Sequence, residues 1–437
     1  MQESRPRILI ISSADPTIGP GVLASDYYKA YKSQGYEVDL LTLYRCEQYP
    51  EFLYVFEKRP QKRYIDKLIQ NPFETIKNSI RYRLGLPVYP LGSYLIYYKE
   101  EENAPIPVEY VLNAISKKYD FVHVLFWQRM LSFATIRALY RKLKCKFFFN
   151  CMDYSPMAGG CHFVGDCERY KYGCGCCPAV GSLNPYDFTW HNVNYRKQVY
   201  AEVDPVVSGN SYMFNFYDQS VLLKGRKRIK SFPIIDLSVF KPLPKEYIRT
   251  KLGITPNKKY ILLFGCQGID DERKGVKYLI EGVRKFADRL SDAERDQLLV
   301  MAIGKSFSTI KSQFGLIDTL DLGYVSISEL PSLYSVADVF LCSSVNDAGP
   351  MMVYQSLCCG TPVVGFEMGS CLEAVKDKGT GYCAKLKDTD DYADGIEYLF
   401  RLTPHEKNKM SATCVELSRN TNSYEAAVKR VLSAYYM

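Results

Sequence analysis

The sequence predicts an α/β protein built from two doubly wound parallel sheets that face a central cleft. Three observations carry this. Short apolar runs alternate with helical patterns along most of the chain, the runs fall into two series, and a proline-bearing stretch at 230–245 (KSFPIIDLSVFKPLPK) separates the series. Apolar runs without alternation belong to strands covered on both faces, as in parallel sheets with helices on either side. A length of 437 residues suits two domains of about 200 residues each.

The first series opens with 7–12 (RILIIS), a glycine-rich loop (Gly19-Pro20-Gly21), a helical stretch to about Ser33, a stop at Gly35 and the run 37–43. That is one βαβ unit. Runs at 119–126, 145–151 and 204–208 extend it, and a second series follows at 260–266, 298–303, 338–342 and 362–366. Segment 50–115 is less regular and reads as an insertion in the first domain, and 224–230 (KGRKRIK) reads as a solvated charged face. His123, inside FVHVLF, reads as a packed strand residue. The expected domains are 1–230, with a cysteine-rich insertion at 151–190, then 231–421, then a last helix over 422–437.

Composition narrows the class. Hydrophobic residues are 47% and charged residues 24%, the profile of a globular protein. No run approaches the roughly 18 apolar residues of a spanning helix, and MQESRPRILIIS lacks a secretory pattern, so a cytoplasmic location is expected. The net charge of +8 allows attraction to phosphates or an anionic membrane but does not single out nucleic acid. No nucleic-acid partner is expected.

Ligands of doubly wound sheets bind in loops just beyond the carboxyl ends of strands. The run 337–366 (ADVFLCSSVNDAGPMMVYQSLCCGTPVVGF) has this form. Pro350 suits the first position of a helix over 351–358, and Gly360 suits a left-handed stop. Past Gly349 and Pro350, the amides of Met351 and Met352 then mark a helix N-terminus ready for an anionic or hydroxyl-rich ligand. Asp347 precedes that helix and Gln355 lies in it. A second loop, Gly265 to Gly275, follows 260–266 and carries Gly268, Arg273 and Lys274. Two fixed cations there can hold an anionic ligand, Arg273 as a bidentate fork and Lys274 as a point charge.

These two motifs resemble the signature of family 4 glycosyltransferases, in which an acid, seven residues and a second acid precede a CGTPVV-like turn. The resemblance implies a GT-B architecture of two Rossmann-like domains and transfer of a sugar from a nucleoside diphosphate with retention. It places Asp347 at the donor sugar and Gln355 where the family's second acid meets the ribose. Glutamine keeps a carbonyl acceptor and adds donors but loses the charge. Gly323-Tyr324-Val325 matches the family's nucleobase-contacting stretch, and Gly19 and Gly21 match a loop that meets the acceptor and sometimes the diphosphate. The last helix crosses back to the first domain in the family.

Residues 152–178 (MDYSPMAGGCHFVGDCERYKYGCGCCP) hold Cys161, Cys167, Cys174 and Cys177, with Cys176 and His162 beside them. Four thiols in a glycine-rich segment ending in C-x-x-C suggest a structural zinc site. Reduced unliganded thiols, or a disulfide pair in an oxidising compartment, are the alternatives. The cluster also resembles the colanic-acid and exopolysaccharide subgroup, which carries a His-Asp pair, then Gly-Gly-Cys-His. Aligned on Gly159 to His162, the subgroup's His falls on Met152 and its Asp on Asp153, leaving Asp153 as the polar candidate of the first domain.

The expected partners are a UDP- or GDP-sugar and a saccharide or lipid-linked acceptor in surface polysaccharide assembly, with no catalytic metal. The basic and aromatic segment 77–99 suggests peripheral contact with a membrane, with a solvated insertion as its alternative. Two rival readings remain, an inactive nucleotide-sugar-binding scaffold and a zinc-dependent interaction module.

Overall fold

The computed structural model describes residues 5–59, 72–89, 91, 101–102, 104, 106–151, 153–305, 307–375 and 378–437. Met152 and much of the basic segment 77–99 lie outside them. The chain divides into two units: Met1–Gly209 with Asn215–Ile229 and Val431–Met437, and Asn210–Phe214 with Lys230–Arg430.

In the first unit the strands are β1 (Ile8–Ser12), β2 (Val38–Tyr44), β3 (Leu53–Phe56), β4 (Phe121–Val124), β5 (Lys146–Phe149), β6 (Val206–Gly209) and β7 (Arg228–Lys230). They lie in the order β3-β2-β1-β4-β5-β6-β7, and the pairs from β3 across to β6 are parallel. Ile8 to Ile11 are fully buried, as a strand with helices on both faces must be. The helix Phe133–Leu143 begins at Ser132, whose side chain accepts from Thr135 N, and stops at left-handed Lys144. His123 sits in β4, fully buried, its Nδ1 3.3 Å from the Tyr31 hydroxyl. Burial pushes its imidazole down to about 3. At the chain's end, Lys146 Nζ donates to Tyr435 O at 2.6 Å, and the Tyr435 ring meets Phe121 edge-on.

In the second unit the strands are β8 (Tyr260–Gly268), β9 (Leu298–Lys305), β10 (Asp318–Asp321), β11 (Val339–Cys342), β12 (Val363–Phe366) and β13 (Gly381–Ala384). Their order is β10-β9-β8-β11-β12-β13, every pair parallel. The helix Thr389–Arg401 is capped by Asp388, and Pro404–Asn422 opens with a Thr403–Glu406 capping box.

All nine expected strands are present, each within two residues at either end. Four strands were not expected: β3, β7, β10 and β13. Two earlier readings are corrected by them. Segment 50–115 is not wholly an insertion, because it supplies β3, and 224–230 is not simply a solvated face, because Arg228–Lys230 is β7. Each sheet has one switch point where the strand order reverses, between β1 and β4 and between β8 and β11. A doubly wound sheet binds ligands there.

Candidate functional site

The second unit builds its site on the loops after β8 and β11, the two strands flanking its switch point. The β8 register against β9 shifts between Cys266 and Gly268, and a Cβ added at Gly268 would meet nothing within 4 Å. Asp271 then caps a single turn, Glu272–Lys274, accepting from Arg273 N at 3.1 Å. Gly275 ends the turn at φ 61°, where a Cβ would fall 2.1 Å from Ser343 O. Only glycine satisfies both the backbone angle and the space. The turn is stitched to the next loop by Val345 N donating to Arg273 O at 2.8 Å and Ser343 Oγ donating to Lys274 O at 2.7 Å.

This stitching brings Lys274 Nζ to 2.6 Å from Asp347 Oδ2, while Asp347 Oδ1 accepts from Gly349 N at 3.1 Å. Burial works against the Lys274 charge, but Asp347 outweighs it and raises the pKa above that of an ordinary lysine. Arg273 Nη2 lies 2.5 Å from Asp271 Oδ2. The helix Met351–Cys358 starts beside these groups with no side-chain cap on its amides. Pro350 stands one position earlier than expected, as the N-cap with ψ 117°. Met352 packs where a Cβ on Gly265 would come within 2.5 Å of its Cε.

Arg273, Lys274, Asp347, Gly349 and the helix start are thus gathered at one end of one sheet. Gln355, in that helix, is 7% exposed, and its Oε1 accepts from the Tyr334 hydroxyl at 3.3 Å. Tyr324 is exposed and Val325 half-buried, just beyond Gly323, whose carbonyl accepts from Gly304 N at 2.8 Å.

In the first unit Gly19 and Gly21 lie in the loop after β1, in a short turn before the helix Val22–Ser33. A Cβ on Gly21 would sit 1.8 Å from Asp15 O, whereas Gly19 has a positive φ of 52° and open space. Asp153 follows β5 and is 2% exposed. It accepts from Gln128 Nε2 at 2.9 Å, from Ser155 N at 2.7 Å and from the Ser155 hydroxyl. His162 Nδ1 lies 2.7 Å from its Oδ2, with the His162 side chain 17% exposed. A carboxylate this enclosed orients its neighbours, so the group it can present is His162. Residue reading missed this partnership, although His162 is adjacent to Cys161 in the motif and a His nine residues beyond an Asp was the available signal.

Behind the pair lies a buried ion pair. Arg196 and Glu101 are 1% and 0% exposed; Arg196 also donates to Ser155 O and Ala158 O and stacks 4.7 Å over the Phe133 ring. Glu101 Oε2 accepts from Phe133 N at 2.9 Å. The Asp153 loop is held from beneath by charge-assisted bonds, the stronger kind.

No two of the fifteen cysteines are bridged in the structure. Among the described residues no three His, Cys, Asp or Glu side chains are drawn close enough to hold a metal ion as they stand. Cys161, Cys167, Cys174 and Cys177 nevertheless line one cavity. Burial, then the neighbouring thiols, push Cys161 well up, and burial pushes Cys174 up to about 12. Among the described residues no helix is long and apolar enough to cross a membrane.

The two units have the two-domain GT-B, Rossmann-like architecture. Residues 244–414 match the family model described as Glycosyl transferases group 1. The D-inositol 3-phosphate glycosyltransferase of Mycobacterium tuberculosis is 24% identical over 213 residues, 46% of this chain and 42% of that protein. The chain therefore spans under half the length of the curated relatives it matches. Across nearly the whole chain the fold is similar to sucrose-phosphate synthase from Thermosynechococcus elongatus (TM-score 0.63, 17% identity, 99% of this chain and 98% of that one). It is also similar to Anabaena HepE in complex with UDP-glucose (TM-score 0.61, 11% identity, 99% and 100%).

Proposed function

We propose that the chain is a retaining glycosyltransferase that moves a hexose from a UDP- or GDP-sugar to a saccharide or lipid-linked acceptor in surface polysaccharide assembly. The observation that carries this reading is the cluster of Lys274, Asp347 and Arg273 against an uncapped helix N-terminus, inside a segment that matches a glycosyltransferase family. In this reading Arg273 and Lys274 receive the diphosphate and offset the charge that develops as the sugar–phosphate bond breaks. Asp347 and the amides after Gly349 hold sugar hydroxyls, and Tyr324 and Val325 meet the base.

On the acceptor side, Met152 offers no proton acceptor, and His162, oriented by Asp153, supplies one. The leaving phosphate is the other available base. A cytoplasmic protein touching the membrane surface fits the exposed Ile76, Ile80, Tyr82 and Leu84 beside Lys77, Arg81 and Arg83, since apolar and basic groups together favour that interface.

Calorimetry with UDP, GDP and their hexose conjugates tests the reading. Binding by the wild type that the Arg273→Ala, Lys274→Ala double variant loses is the expected result. A folded wild type that binds none of these nucleotides ends it. A second reading, a nucleotide-sugar-binding scaffold without turnover, is favoured by the buried Gln355 in place of an acid. Donor binding with neither transfer nor hydrolysis across acceptors would select it.

A further inference from the structure

We propose that Cys161, Cys167, Cys174 and Cys177 are the four ligands of a single structural zinc ion. The assignment stands apart from sugar transfer and would hold for any function of the chain. The cavity that the four thiols line measures about 20 Å³, the room that one water-sized sphere occupies. Much of the remaining wall is backbone and apolar surface from Ala158, Gly159, Gly160, Val164 and Pro178. Arg169, Tyr170 and Thr189 also border the cavity, and the Thr189 hydroxyl already accepts from Gly175 N. One ion with four sulfur ligands at about 2.3 Å suits the size and the donors. An all-thiolate set excludes magnesium and calcium, which take oxygen.

The C-x-x-C turn supplies the second observation. Gly173, Cys174, Gly175 and Cys176 follow one another at positive φ angles of 110°, 63°, 87° and 42°. Non-glycine residues rarely adopt that region, and it persists where the surroundings over-determine it. Three bonds fix the turn: Gly175 N donates to Thr189 Oγ1 at 3.0 Å, Cys176 N to Asn184 O at 2.8 Å and Cys177 N to Asp187 Oδ2 at 2.8 Å. The outcome is a sorting of five cysteines. Cys174 and Cys177 line the cavity with Cys161 and Cys167, whereas the Cys176 thiol is off that wall and donates to Leu183 O at 3.3 Å.

Closing on the ion requires the thiols to converge by side-chain rotation and to lose their protons to solvent. The consequence reaches the neighbouring residue. Cys161 precedes His162, whose carbonyl accepts from Tyr154 N at 3.0 Å, so the metal would anchor the loop segment that sets His162 against Asp153.

The test uses the full chain purified without chelator from zinc-supplemented culture. Elemental analysis of the wild type is expected to give about one zinc per chain, released when a mercurial titrates the thiols. Cys176→Ser is expected to keep it, and Cys174→Ser and Cys177→Ser to lose it. Because the latter two variants can fail to fold, cobalt exchange into the wild type gives an independent readout: intense tetrahedral thiolate bands are expected. Folded wild type carrying less than about a tenth of an equivalent of zinc and showing no such cobalt bands overturns the assignment. So does iron as the bound metal, or loss of zinc from folded Cys176→Ser.

Discussion

The loops after β8 and β11 in the second unit and the Asp153 segment in the first hold their polar residues by different means. In the second unit main-chain bonds from neighbouring loops do the positioning, and the charged side chains remain partly exposed: Lys274 is 26% exposed and Asp347 14%. In the first unit the polar groups hold each other, with Asp153, Arg196 and Glu101 all at most 2% exposed. A backbone-held site can lose a side chain and keep its shape. A site held by buried charges cannot, because removing one leaves its partner uncompensated. Substitutions in the two units should therefore separate function from stability.

The largest effect is expected at the backbone-held site. Arg273→Ala with Lys274→Ala should lower sugar transfer by about 10³-fold, roughly 4 kcal/mol, with a melting temperature near that of the wild type. A double variant that melts much earlier would break the contrast. Next comes Glu101→Gln, which keeps shape but leaves the Arg196 cation unpaired. Urea unfolding should show a loss of about 3 kcal/mol, and an unchanged midpoint would show that the Ser155 and Ala158 carbonyls suffice for the guanidinium.

His162→Ala sharpens the contrast further. It should cost about 10²-fold in kcat, within the range of a lost acid–base group, while calorimetric affinity for the nucleotide donor stays as in the wild type. A matching fall in donor affinity would argue against an acceptor-side role. Asp153→Asn should follow His162→Ala in kcat if it acts through the imidazole.

The smallest effect concerns His123, a buried polar residue outside either site. Its folded pKa of about 3 lies below the ordinary value of about 6.5. The unfolded chain takes up the proton before the folded one does. Its contribution is complete above about pH 6.5 and falls away toward pH 3, with about 2 kcal/mol gone by pH 5. Denaturation of wild type and His123→Gln across this range should show a shallower acid slope for the variant; equal slopes would mean the imidazole is hydrated in the fold.

The comparison also shows what residues alone disclose. The central strands were legible because burial on both faces forces continuous apolar runs such as Ile8 to Ile11. The four unforeseen strands are the edge strands of the two sheets, with compositions such as Arg-Ile-Lys in β7 and Asp-Thr-Leu-Asp in β10. An edge strand has one neighbour and partial exposure, so nothing compels an apolar signature. The cluster of Arg273, Lys274 and Asp347 was legible for a similar reason, since each residue follows a readable strand at the switch point. The direct Lys274–Asp347 contact was not, because it depends on the stitching of two loops 73 residues apart. His162 meeting Asp153 depends on a fold-back through a glycine-rich segment that has no periodicity to read.

The Lys274–Asp347 pair has a further consequence if that lysine receives a diphosphate. A lysine already neutralised by a carboxylate is a weak trap for stray anions. Inorganic phosphate would have to draw the ammonium away and leave Asp347, 14% exposed, facing a second negative charge. A ligand carrying hydroxyl donors beside its phosphates can compensate both members of the pair at once, giving each a new partner for the one it loses. The site then discriminates by what its ligand contains rather than by charge alone, and phosphate-rich surroundings would leave it free.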